Sequence, residues 1–187
     1  MRIISGNFKG KKILEPKDKE TRPLKDLTKE SIFNIILHSK KFDTKIENSK
    51  VLDLFSGVGS FGLECLSRGS SFLTFVENYK GVLPVLKKNI INFEYENMSS
   101  LIERDIFDDL DFRVFKKKFN IIFMDPPYKE KKLSLLLESI IEGDLLVKGG
   151  IIIIHRHKKE IDTLPKKFNI ITEKKYGISK IIFGNYS

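Results

Sequence analysis

From position 50 onward the chain alternates short apolar runs with amphipathic stretches, the pattern of a parallel sheet covered by helices. Lys50 to Phe55 predicts the first buried strand. After a glycine turn, residues 60–68 predict a helix that stops at Arg68-Gly69. Phe72 to Glu77 predicts a second strand, residues 79–92 a helix and Leu101 to Asp105 a third strand. Asn120 to Asp125 is the fourth, residues 131–142 a helix and Gly150 to His155 a fifth strand. Residues 168–175 and 179–186 predict a closing hairpin turned at Gly177. The sum is an α/β fold: a doubly wound, mostly parallel sheet with a C-terminal antiparallel hairpin.

Residues 1–49 follow another pattern. Arg2-Ile3-Ile4-Ser5 and Lys11-Lys12-Ile13-Leu14 flank a turn from Gly6 to Gly10 and predict a small basic hairpin. A polar linker follows, then Thr28 is placed to N-cap a helix with Ile32, Phe33, Ile36 and Leu37 as its apolar face. The chain therefore divides into an N-terminal basic hairpin and helix, 1–49, and an α/β domain, 50–187.

Composition adds exclusions. With 187 residues and 41% hydrophobic content, one principal domain is expected. The single cysteine, Cys65, rules out an internal disulfide framework and any CxxC metal site, so no metal is expected. No apolar run approaches the roughly 20 residues of a membrane span, and Met1-Arg2-Ile3-Ile4-Ser5-Gly6 lacks the features of a signal peptide. A cytoplasmic protein without a membrane partner is the expectation. The net charge of +9 is unevenly placed: residues 1–50 hold 13 basic against 7 acidic side chains, residues 51–147 hold 12 against 15, and residues 148–187 hold 9 against 3. Basic ends around an acidic middle suit a polyanion-binding rim around a cation-friendly pocket, and equally a lysine-rich solubilising surface.

Gly57-Val58-Gly59-Ser60-Phe61-Gly62 is a GxGxxG between a strand and a helix, with Glu77 ending the next strand. Such glycines let a ligand approach the helix N-terminus, and an acid on the second strand accepts hydrogen bonds from ribose hydroxyls. Both hold for nicotinamide dinucleotides and for S-adenosyl-L-methionine (SAM). Asp53 shifts the reading, because a carboxylate inside a buried strand needs a compensating partner. SAM carries a sulfonium and an amino group and no pyrophosphate, so Asp53, Glu77 and Asp105 at three strand ends suit it better than a dinucleotide. The plainer roles are a loop cap for Asp53 and an ordinary strand-ending residue for Asp105.

The apolar run Ile121 to Met124 delivers Asp125-Pro126-Pro127-Tyr128 to the carboxyl edge of the sheet, where open α/β folds bind ligands. Two prolines fix φ, remove two donors and push Asp125 into an extended conformation. What remains is a rigid cluster of acceptors, which fits an exocyclic amine held by the Asp125 carboxylate and the Pro126 carbonyl while its nitrogen faces a methyl donor. Tyr128 offers a ring on which the target base can stack, and a base in structured nucleic acid must first be unstacked. The plainer reading is a proline turn closing a strand. Against it, Asp53, the glycine loop, Glu77, Asp105 and Asp125 fall in order at the ends of four successive predicted strands.

These residues carry a resemblance. The segment from Asp53 to Gly69 and Asp125-Pro126-Pro127-Tyr128 are similar to the RsmD family. So are Arg2 to Gly6, Lys9 to Leu14, Arg22-Pro23 and Lys29 to Asn34. The likeness covers nearly the whole chain. It implies a Rossmann-like class I SAM methyltransferase with a small N-terminal extension that binds RNA. The implied reaction is methylation of a guanine N2 in small-subunit (16S) ribosomal RNA, guanine 966 in the family, with the substrate in an assembling small subunit and the enzyme a monomer. Implied cofactor contacts are Asp53, Phe55, Gly57, Gly59, Glu77, Asn78, Asp105, Ile106 and Asp125, with Asp125, Pro126 and Tyr128 at the target base. Leu24 and Lys29 depart from the threonine and arginine usual in the family. The Asp-Pro-Pro-Tyr turn is shared with DNA adenine-N6 methyltransferases, although only 59 residues follow Tyr128, which leaves little room for a DNA-recognition domain. A non-catalytic RNA-binding protein would keep the basic ends without the acidic and glycine positions.

Three groups are given no catalytic role. His155, Arg156 and His157 form a basic cluster that either touches phosphate or is an ordinary charged strand end. Cys65 reads as a small core residue. Lys116 to Lys118 reads as a solvated loop.

Overall fold

A computed structural model describes residues 1–16, 24–108, 112, 115 and 117–186. The Arg22-Pro23 pair and Lys116 lie outside the described residues. Seven strands form one sheet in the order β3-β2-β1-β4-β5-β7-β6. They are β1 (Lys50–Leu54), β2 (Phe72–Glu77), β3 (Ser99–Glu103), β4 (Phe119–Met124), β5 (Leu146–His157), β6 (Asn169–Tyr176) and β7 (Ser179–Asn185). The first five are mutually parallel, and β7 runs antiparallel between β5 and β6. The chain leaves β1 toward β2 and β3, then returns to the other side of β1 as β4. This reversal opens a crevice at the carboxyl ends of β1 and β4, the switch point at which doubly wound sheets bind ligands.

Alternate residues of the buried strands feed two cores, one on each face. Val51, Phe75, Ile121, Phe123 and Ile153 join one core, and Leu52, Leu54, Ile122, Met124 and Ile154 the other. Helices α1 (Asp26–His38), α2 (Ser60–Ser67) and α3 (Leu83–Asn92) contribute buried residues to the first core, and α4 (Leu133–Glu142) to the second. Gly62 lets α2 lie close on the sheet, since a Cβ there would meet Phe75 Cε1 at 2.6 Å. No helix among the described residues is long and apolar enough to cross a membrane.

Most predicted elements are present, with shifted ends. Residues 79–82 form a turn before α3, which starts with Pro84 in its first turn, where a proline lacks nothing the helix needs. β3 begins at Ser99 and stops at Glu103, so Asp105 lies just beyond it. β5 runs to 12 residues, through His157.

Thr28 is not the N-cap of α1. The helix begins at Asp26 after Lys25, and Thr28 is buried within its first turn. The buried Leu24 anchors the entry, and Asp26 supplies the acid that suits a helix start. Leu37 also lies off the apolar stripe, at 53% exposure, while the fully buried Lys29 lies on it. The N-terminal hairpin is present as an antiparallel bridge between Arg2 and Lys12. It docks on α2, where Asn7 N–H donates to the Ser67 carbonyl at 2.8 Å and Phe8 N–H to Ser67 Oγ at 3.0 Å.

Candidate functional site

The glycine loop turns between β1 and α2 by way of Phe55 (φ 63°), Gly57 (φ 54°) and Gly59 (φ 83°). A left-handed backbone at the bulky Phe55 stores strain of the kind that collects at ligand sites. Its ring lies 5.5 Å from that of Phe107. Each glycine amide of the loop already has a partner: Gly57 N–H donates to Glu77 Oε2 at 2.7 Å, Gly59 N–H to the Ser56 carbonyl at 2.8 Å, and Gly62 N–H to Asp53 Oδ2 at 3.1 Å. These three glycine amides are therefore committed to acids and a carbonyl of this chain.

Asp53 does serve as the loop cap that the sequence allowed, but with one oxygen only. It is 1% exposed, and among the described residues its Oδ1 is buried with no hydrogen-bond partner. Burial pushes its pKa well above the ordinary carboxylate value. The Gly62 hydrogen bond opposes this, and the charges of Asp125 and Glu77 add to it. A buried acceptor of this kind fits a cationic donor, which would restore its ionised form.

Glu77 accepts Asn78 N–H and Tyr79 N–H on Oε1, both at 2.9 Å. Asn78 Nδ2 reaches Asp105 Oδ2 at 2.7 Å, and Asp105 Oδ1 accepts Phe107 N–H at 2.9 Å. Phe55, Glu77, Asn78, Asp105 and Ile106 together line one small cleft with Val76 and Arg104. Five predicted cofactor residues thus converge, and Asp53, Gly57 and Gly59 adjoin them through the loop. A larger open groove, lined by Thr44, Ser49, Asn120, Lys148 and Gly149 among others, lies at the opposite, amino edge and contains none of the predicted residues.

Across the switch point, Asp125 follows β4, and its N–H donates to the Leu54 carbonyl at 3.3 Å. Pro126 is buried, Pro127 exposed and Tyr128 half-buried. The sequence reading missed what holds this turn. Arg156, read as an exposed strand end, is 1% exposed. Its Nη1 donates to the Pro127 carbonyl at 3.0 Å and its Nη2 to the Glu130 carbonyl at 2.9 Å. Its guanidinium also pairs with Asp162 through Nε and Nη2, the shortest contact being 2.7 Å. A planar fork suits such multiple acceptors, so the two prolines are braced from behind. His155 is buried too, at 2.8 Å from Asp125 Oδ1, whereas His157 is partly exposed with its ring 5.4 Å from that of Tyr128. The strand-end reading fails for two of the three because β5 continues into the sheet interior beside β7. Cys65 is fully buried, as read. Lys117 lies over the Phe72 ring at 3.6 Å and Lys118 pairs with Asp144, so neither is a purely solvated charge. Among the described residues, no group of three or more His, Cys, Asp or Glu side chains is placed to hold a metal.

An anionic crevice, in a sheet of this order with an antiparallel final pair, favours a cationic cofactor over a dinucleotide. It defines a SAM-dependent methyltransferase of the Rossmann-like kind. The family model described as Conserved hypothetical protein 95 matches residues 1–185, and the chain belongs to this family, the RsmD family whose motifs it resembles. YlbH of Bacillus subtilis is 35% identical over 185 residues, covering 97% of this chain and 96% of that protein. Ribosomal RNA small subunit methyltransferase D of Buchnera aphidicola is 31% identical over 172 residues, covering 92% and 86%. Among solved structures, yhhF from Escherichia coli superposes with a TM-score of 0.83 at 25% identity over 100% of this chain and 97% of that one. The fold is shared with SMU.776 in complex with SAH, at a TM-score of 0.66 and 17% identity over 84% of this chain and 49% of that one.

Proposed function

We propose that this protein transfers a methyl group from SAM to the exocyclic N2 amine of a guanine in 16S ribosomal RNA, guanine 966 of the family's substrate, within an assembling small subunit. The broader activity, SAM-dependent rRNA methylation, has the support of the relatives named above. The observation that supports methyl transfer to an amine is the approach of Asp53 and Asp125 at one switch point, a site for a cation beside a site for an amine; the guanine N2 and the 16S target rest on the family likeness. When bound, SAM supplies an electrophilic methyl whose bonding pair to sulfur departs with the sulfur.

The chain's residues do the rest. Asp53 takes the cationic amino end, Glu77 accepts ribose hydroxyls, and Phe55, Asn78, Asp105 and Ile106 wall the cleft around the nucleoside, with Gly57 and Gly59 keeping the loop close. Asp125 and the Pro126 carbonyl accept the two amine N–H groups and localise the nitrogen lone pair. Asp125 then takes the proton that the nitrogen sheds and releases it to solvent, its side chain being 20% exposed. Tyr128 carries the extruded base. Residues 1–49 serve as the RNA-binding extension of a transferase unit spanning 50–187, and the enzyme works as a cytoplasmic monomer.

Labelled methyl from SAM is expected to enter small subunits that lack the modification, and mass spectrometry of the nucleosides to find N2-methylguanosine. Methyl found on adenine N6 instead would overturn the reading. Tyr128→Ala is expected to raise KM for RNA by the equivalent of about 1–3 kcal/mol of lost stacking, with Tyr128→Phe within twofold of wild type. Matching losses in both variants would transfer the role to the hydroxyl. RNA affinity is expected to fall linearly on a log–log plot against salt, by about 0.7 per neutralised phosphate for single-stranded RNA. A filter-binding series with a flat response would remove the basic ends from the interface.

A further inference from the structure

Asp125 has one of its two oxygens committed. Oδ1 lies 2.8 Å from His155 Nδ1, and the far ring nitrogen, Nε2, lies 2.9 Å from Ser179 Oγ. This line crosses three strands. The pairing of Met124 with Ile154 sets Asp125 beside His155, and the antiparallel pairing of His157 with Ser179 brings the serine across from β7. His155 is 5% exposed and Ser179 6%, so the imidazole is clamped from both sides. The same ring meets Tyr128 edge to face, with centroids 6.3 Å apart at 74°. One buried side chain therefore touches two of the three residues assigned to the target base, Asp125 and Tyr128.

We propose that His155 is a positioning residue for methyl transfer: it pins Asp125 through Oδ1, so that Oδ2 is the oxygen presented to the amine. The proposal rests on Asp125 being the amine acceptor. A carboxylate torsion is broad and nearly two-fold, so without a fixed partner Asp125 could present either oxygen. An ionised carboxylate only accepts, so the Nδ1 that faces it carries a proton and donates. Ser179 holds the ring at its other end and keeps that donor aimed. A loose acceptor here forfeits the alignment between amine and methyl donor on which the rate depends, a loss on the order of 100-fold.

The test uses shape-matched variants of the full chain. His155→Asn keeps an N–H near the Nδ1 position, whereas His155→Gln and His155→Ala lose it. Expected is a kcat for His155→Asn within about fivefold of wild type and a fall of about 100-fold for the other two, with KM for SAM and for RNA within twofold in all three. In an Asp125→Asn background, His155→Gln is expected to lower kcat no further, because the Oδ2 acceptor that the pin aims at the amine is already replaced by an amide nitrogen. Additive losses, equal losses in all three variants that follow their melting temperatures, or three variants as active as wild type would each overturn the proposal. Methyl found on an amine other than guanine N2 would sink the proposed function alone, since the ranking of the variants would still be read on that amine.

Discussion

Asp125→Asn is expected to lower kcat by about 10²–10³-fold, the cost of removing one preorganised electrostatic contact from a transition state, while SAM affinity stays within twofold of wild type. The two readouts separate because the site is divided between neighbouring strands. Asp53, on β1, has a buried oxygen without a partner among the described residues, and Asp125 reaches it only through charge, as one of the influences that raise its pKa. Removing the Asp125 charge relieves Asp53, so the cofactor side is not weakened. On the target side the amide keeps the shape of the carboxylate and turns half of the acceptor into a donor, which repels an amine N–H. Rapid-quench single turnovers give kcat, and calorimetric titration gives the SAM affinity. Parallel collapse of both would move Asp125 from the amine to the cofactor.

The sheet and most of the site were legible because both are written locally. Buried parallel strands read as continuous apolar runs, the glycine loop must sit between a strand and a helix, and paired prolines announce a rigid turn wherever they fall. What stayed hidden depends on register and on distant partners. Nothing in the run from Ile151 to His157 tells which of its last three residues faces Asp125, since a one-residue slip exchanges the faces. The pairing of Met124 with Ile154 decides it, sending His155 toward Asp125 and Arg156 toward the Pro127 carbonyl. Asp162, the partner of Arg156, lies in a loop whose sequence carries no periodic signal. Thr28 misled because a threonine ahead of an apolar stripe is also what a helix shows when it starts earlier and buries its first turn.

Glu64→Ala is expected to lower the free energy of unfolding by about 3–5 kcal/mol, the range for breaking a buried ion pair from one side. Glu64 and Lys29 are both fully buried, 35 positions apart in the chain, and nothing in the sequence marks them as partners. Glu64 accepts Ile4 N–H at 2.7 Å, Ser5 N–H at 3.0 Å and Arg68 Nε–H at 2.7 Å, with Lys29 Nζ 3.6 Å away. The alanine would strand two hairpin amides and leave the buried Lys29 ammonium with the Arg2 carbonyl at 2.7 Å and only the more distant Asp26 carboxylate, at 3.9 Å, as counter-charge. Burial lowers the pKa of Lys29, and Glu64 is the main opposing influence. Because that folded value lies below the unfolded 10.5, the unfolded chain binds more protons between the two values, and stability rises with pH across that interval. Without Glu64 the depression deepens and the interval widens downward, so the deficit measured by urea unfolding is expected to shrink from pH 7 to pH 10. A loss below 1 kcal/mol with no pH dependence would mean that Lys29 escapes to solvent. The same carboxylate that anchors the hairpin stands two residues after Gly62, whose amide holds Asp53. The variant is therefore expected to release the basic hairpin, and RNA affinity with it, before the cofactor cleft is lost.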